Sequence, residues 1–170
     1  LFLPLINQMA SLTEKLLPEI EIETNELKPM YLDKSAFDTP LVALLNAERE
    51  VLRMGEIVER MFRNTFIALK KNDIDLAKKT RAMDQSANLF YDEVKLYLTR
   101  LSRESLGEKE RIRCSEIMSF ATNLEHIGDI ISVDMIDSLL RKKMTPGAKM
   151  SLQDREDINN LYQPVLLSFN

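Results

Sequence analysis

Between Pro40 and Pro146 the chain has no proline, and only Gly55, Gly107 and Gly128 break the same window as glycines. A stretch so poor in breakers excludes an architecture of short strands and tight turns there and favours long helices. A single cysteine, Cys114, excludes an internal disulfide and a cysteine-built metal site. Such a composition suits a reducing compartment, and Cys114 reads best as a small buried apolar residue. There is one histidine, His126, twelve residues from that cysteine on one expected helix, so the two are more than three turns apart and make no nucleophile–base pair. No GxSxG, glycine-rich phosphate loop or HExxH occurs. Uninterrupted apolar runs of about 18 residues are also missing, so no complete transmembrane helix is expected. A surplus of acids over bases, net charge -4, argues against nucleic acid as a partner, because such domains gather basic residues on one face.

What remains is 170 residues, 45% hydrophobic and 29% charged, enough for one domain with its own core. Helix one is expected from Leu41 to about Lys71, with Asp38 or Thr39 as cap and Pro40 in the first turn. Its apolar seam is Leu44, Ala47, Val51, Met54, Val58 and Met61. Helix two is expected from Ile74 to about Arg103, along Leu76, Thr80, Met83, Ala87, Phe90, Val94, Tyr97 and Leu101. Helix three should start after Gly107 and reach about Lys143, with Ile117, Phe120, Leu124, Ile127, Ile131 and Met135 inward. Alternating steps of three and four are the mark of shallow-angle bundle packing, and short turns make neighbours antiparallel. The fold class is therefore all-α, an antiparallel three-helix bundle. Residues 1–40 read as an apolar, membrane-like beginning followed by an extended connector, 41–145 as the bundle, and 146–170 as a linker and a partial fourth helix capped by Ser151. Both ends stop inside apolar patterns, which is the expectation for a piece of a longer chain.

Carboxylates are the chemistry available. In NLEHIGDII, Glu125 and Asp129 stand at i and i+4 on one face of helix three, among small or apolar neighbours such as Ala121, Ser132 and Ile136. NAERE and GEIVERMFRN, with their mixed charges, look by contrast like solvated faces. Asp84 and Asn88 repeat the i, i+4 spacing on helix two, beside Met83 and Ala87. Burying two acids without a counter-charge costs several kcal/mol. Two readings stand: acids satisfied by lysine, arginine or serine, or a divalent cation held by oxygens between helices. His126 is turned about 100° from Glu125 and reads as a boundary residue. Gly128, on the seam side next to Leu124 and Ile131, leaves room for a neighbouring helix to bring Asp84 and Asn88 within range of Glu125 and Asp129.

At these residues the sequence resembles the PhoU family, helical proteins associated with bacterial phosphate uptake. NLEHIGDII resembles the family's third-helix acidic motif, VLRMGEIVERMF its first-helix segment, and DIDLAKKTRAMDQSAN its entry into helix two. The resemblance implies metal positions at Glu125, Asp129, Asp84 and Asn88, with iron, zinc or another divalent cation as the cofactor. His126 stands where the family usually has arginine, and one three-helix repeat is complete where stand-alone members carry two. The run FLPLINQMASLTEKLLPE followed by MYLDKSAFDTPLVALLNAERE resembles the junction of sodium-dependent phosphate cotransporters with a PhoU-like domain. That likeness implies a regulatory, non-enzymatic domain at the cytoplasmic face of the bacterial inner membrane. Its partner would be a transmembrane sodium/phosphate cotransporter domain in the same chain, with homodimerisation left open. The alternatives are a stand-alone PhoU-type adaptor and a carboxylate di-metal protein. The last is disfavoured, because it needs Glu-x-x-His on two helices.

Overall fold

The structure, a computed structural model, describes residues 27–144. The membrane-like beginning before Leu27 and the expected fourth helix from Ser151 lie outside the described residues. Three long helices dominate: α1 (Pro40–Lys71), α2 (Ile74–Leu101) and α3 (Glu108–Asp129). A π-helical stretch, Ile130–Ile136, continues α3 into α4 (Asp137–Met144). Each long helix packs on the other two, and no strand occurs among the described residues. The all-α three-helix bundle expected from the seams is the observed fold.

Local chemistry sets the helix ends. Thr39 is the cap residue of α1, but its side chain makes no cap bond, and Pro40 occupies the first turn, where its missing N–H costs nothing. At the other end Asn72 adopts φ 57, the left-handed conformation that asparagine tolerates, and Lys70 and Lys71 face the carbonyl end of the helix dipole. Asp73 then caps α2, accepting from Leu76 N at 2.9 Å, so two residues suffice to reverse the chain. Glu110 accepts from the Gly107 N–H to start α3.

The core follows the seams on α1 and α2. Leu44, Val51, Met54, Val58 and Met61 face Ala87, Phe90, Val94 and Leu101, all at most 2% exposed. Each large side chain buried this way contributes about 1.5–3 kcal/mol. Helix three differs from expectation. Phe120 and Ile127 are 50% and 38% exposed, and the inward stripe is Ile117, Ala121, Leu124, Gly128 and Ile131. Small residues at 121 and 128 let α3 settle closer to its neighbours, and this rotates the larger seam residues to the rim.

NAERE is not a solvated face throughout. Glu50 is completely buried, and its carboxylate receives the backbone N–H groups of Met30 (2.9 Å) and Tyr31 (2.5 Å) together with the Arg53 guanidinium. Arg53 also donates to Lys28 O at 3.0 Å, while Arg49 stacks over the Tyr31 ring at 3.9 Å. Farther along, Tyr97 donates its hydroxyl to Asp33 O at 2.9 Å and its ring lies 4.9 Å from that of Phe37. The connector is thus a strap against α1 and α2, with a 3-10 turn at Lys34–Asp38 rather than a wholly extended run.

Candidate functional site

Three of the four expected ligand residues, Asp84, Asn88 and Asp129, lie where α2 passes the end of α3. Gly128 provides the contact: a Cβ built there would lie 3.6 Å from Asp84 Oδ1 and 4.0 Å from Val58 Cγ2. Without that side chain the backbone of α3 approaches the Asp84 carboxylate directly. The π-helical stretch begins one residue after Asp129, and Gly128, Ser132 and Ile136 stay inward at steps of four. π-bulges of this kind occur frequently at functional sites.

Asp84 is the most perturbed acid of this cluster. Its Oδ1 is buried and meets no partner at hydrogen-bond geometry, and Asn88 Nδ2 approaches Oδ2 only at 3.5 Å. Burial is the main cause that raises its pKa above the usual carboxylate range; the Ser132 hydroxyl pulls the other way, the Asp129 charge raises it further, and Arg81 lowers it. Ser132 makes a long 3.4 Å contact to Asp129 O, so its rotatable hydroxyl is the donor free to turn towards Asp84. Arg81, for its part, pairs with Asp137 at 3.3 Å.

Glu125 is drawn elsewhere. Its Oε2 lies 3.0 Å from Nδ1 of the exposed His126, and it does not figure among the charges acting on Asp84. So Asp84, Asn88 and Asp129 come together around Gly128, whereas Glu125 faces its own neighbour. Among the described residues no group of three or more His, Cys, Asp or Glu side chains could hold a metal ion. Two acids and one amide, with a buried orphan oxygen, do not by themselves close a donor set for iron, zinc or another divalent cation. Arg81 is the participant that the spacing does not single out, whereas Ser132 stands in the sequence among the neighbours of Glu125 and Asp129. The signal for Ser132 was available, as a lone hydroxyl inside the apolar run IISV.

An all-α antiparallel bundle with a half-buried carboxylate at a glycine contact defines the class, a helical-bundle domain. More particularly, residues 51–133 match the family model described as the PhoU domain. It is also 33% identical over 165 residues to the putative inorganic phosphate export protein YjbB of Escherichia coli (strain K12), covering 96% of this chain and 30% of that protein. The protein of the same name from Salmonella typhimurium (strain LT2) is 35% identical over 167 residues, with the same coverage. The chain therefore spans about a third of the length of the curated relatives it matches. No solved structure matches.

These findings correct one expectation. A transmembrane sodium/phosphate cotransporter domain in the same chain is not supported by these 170 residues. The match to the relatives occupies 96% of them, and among the described residues no helix is long and apolar enough to cross a membrane.

Proposed function

We propose that this chain is a regulatory helical module of inorganic phosphate transport, acting at the cytoplasmic face of the bacterial inner membrane on a transport protein with which it associates. The observation that carries the reading is the coincidence of a PhoU domain with similarity, along nearly the whole chain, to proteins named for phosphate export. Among the described residues no helix is long and apolar enough to cross a membrane, and the reading assigns the transport step itself to another component. The reading puts the regulatory element at Asp84, whose half-buried carboxylate lies against Gly128 of α3 and feels the Asp129 charge, so that relieving its own charge changes how α2 packs on α3. Radiolabelled phosphate uptake and efflux in bacterial cells with and without this chain test the reading. A changed rate or half-saturation is expected, and identical kinetics at low and high external phosphate would exclude it.

A further inference from the structure

The seam between α1 and α3 has an apolar outer edge. Three contacts set the register of these two helices: Arg113 on Glu48, Leu124 against Gly55, and Val58 against Gly128. Positions 48 and 55 of α1 therefore face α3, and position 124 of α3 faces α1. Leu45 and Leu52 each stand three residues before one of those α1 positions, and Phe120 and Ile127 stand one turn either side of Leu124, so all four flank the contact line. They lie on its solvent side, 49%, 62%, 50% and 38% exposed, and Ile130 at 54% extends the stripe along α3. Gly55, half-buried and without a side chain, leaves a groove between them. Single exposed hydrophobics are ordinary on a folded surface, whereas several side by side mark a docking place.

The chain itself supplies an occupant. Residues 145–170 continue beyond the end of α4 at Met144, opening with Thr145, Pro146 and Gly147, which stop a helix and suit a reversal of direction. Ser151 and Asp154 then have the spacing of a helix start. Ile158, Leu161, Tyr162 and Val165 follow at steps of three and four, with Glu156, Asp157, Asn159 and Asn160 on the other face. The reach is sufficient: residues 145–151 span up to about 23 Å and a helix from 151 to 165 about 21 Å, against about 36 Å from Met144 back to Phe120. The opposite end of the chain is directed elsewhere. Leu27 lines a cleft with Arg53, Ile57 and Arg60, and Arg53 lies over the Phe90 ring of α2, so that end approaches α1 from its α2 flank.

We propose that Ile158, Leu161, Tyr162 and Val165 of this chain occupy the α1–α3 groove, laying residues 152–165 antiparallel to α3 over Leu52, Phe120, Ile127 and Ile130. A fourth helix resting between two others is ordinary bundle geometry, and it leaves the acids and asparagines of the segment in water. A partner that needs the α1–α3 edge must first displace this cover. The inference goes beyond the phosphate-transport reading and does not rest on it.

The test is methyl NMR of the full chain with a soluble gadolinium chelate, which broadens the signals that solvent reaches. In the wild type the methyl groups of Leu52, Ile127 and Ile130 should be shielded, and the shielding should persist through a dilution series. Ile158→Asp combined with Leu161→Asp should raise the broadening at those methyls severalfold. The buried methyls of Val94 and Ile117 should stay unaffected and so report that the bundle is intact. Should those core signals move in the variant, the wild-type dilution series decides alone. Full access of the chelate to the three methyls in the wild type, or equal shielding in wild type and an intact variant, would overturn the proposal. So would shielding that fades on dilution alongside a dimer in sedimentation, which puts a second copy in the groove. Because no phosphate is involved, failure here leaves the regulatory reading standing, and failure of the uptake experiment leaves this result standing.

Discussion

Glu50 Oε2 accepts the backbone N–H of Tyr31 at 2.5 Å, joining residues nineteen apart in the chain. One buried carboxylate on α1 thereby fixes the segment that precedes the bundle. Three donors converge on it, two of them backbone amides, so removing it takes the acceptor from both amides and one of the partners from Arg53, which keeps Lys28 O.

Glu50→Ala should cost about 3–5 kcal/mol, the usual result of breaking a buried charge pair at one partner. Urea denaturation gives the total. Amide hydrogen exchange shows whether the loss is local, with the protection of Met30 and Tyr31 lost while the Phe90 and Val94 amides of α2 stay protected. Uniform loss of protection would mean that Glu50 supports the whole bundle rather than the strap.

Asp84 gives the opposite sign. Burial holds its pKa above the usual carboxylate range in the folded chain, so the folded state favours the protonated acid. Its contribution is fully present below the unfolded value and is lost as pH rises through the folded one. At neutral pH, Asp84→Asn should therefore be more stable than the wild type. The gain should stay below about 1 kcal/mol, because the half-buried group is partly screened by solvent. Urea midpoints of both proteins from pH 7 down towards pH 4 check this, and the advantage of the variant should shrink on acidification. An Asn variant less stable than wild type at pH 7 would show that Asp84 is satisfied in a way its geometry does not reveal.

The two acids differ in how far the sequence announces them. The helices were legible because seams such as Leu44–Val51–Met54–Val58–Met61 repeat at bundle spacing, and the Gly128–Asp84 contact followed from a glycine on the seam side. Helix three was less legible. Its inward stripe uses Ala121 and Gly128, which carry little hydrophobic signal, so Phe120 and Ile127 drew the seam towards themselves. Glu50 was hidden for another reason: the donors that satisfy it lie on a segment twenty residues upstream, and nothing in NAERE distinguishes a buried glutamate from an exposed one. The i, i+4 spacing of Glu125 and Asp129 fixes the helix face but not which neighbour each acid takes, and the Glu125 carboxylate lies against His126.

Gly55 and Gly128 lie in similar helical positions against different neighbours. A Cβ on Gly55 would sit 3.7 Å from Leu124 Cδ1, an ordinary apolar contact, so Gly55→Ala should gain up to about 1 kcal/mol of helix propensity. At Gly128 the new methyl would sit 3.6 Å from the orphan Asp84 oxygen and shield it further from water. Most of the propensity gain should vanish there. It should return when Gly128→Ala is combined with Asp84→Asn, a coupling that thermal melts of the four proteins in that cycle measure directly.

Tyr97 anchors the far end of the strap through a single hydroxyl, donated to Asp33 O at 2.9 Å, while its ring keeps the contact with Phe37. Tyr97→Phe retains the ring and removes the hydrogen bond, so the expected loss is about 1 kcal/mol. Glu50 and Tyr97 share no contact, yet both fix residues of the same short segment, at Met30 and Tyr31 on one side and Asp33 on the other. Once Glu50→Ala has freed the strap, the Tyr97 hydroxyl keeps its Asn46 partner on α1 but has less of the strap to hold. The double variant should consequently be less damaged than the sum of the single ones, by several tenths of a kcal/mol or more. Strict additivity in urea denaturation would mean that the two anchors hold independent segments, and that the strap does not behave as one unit.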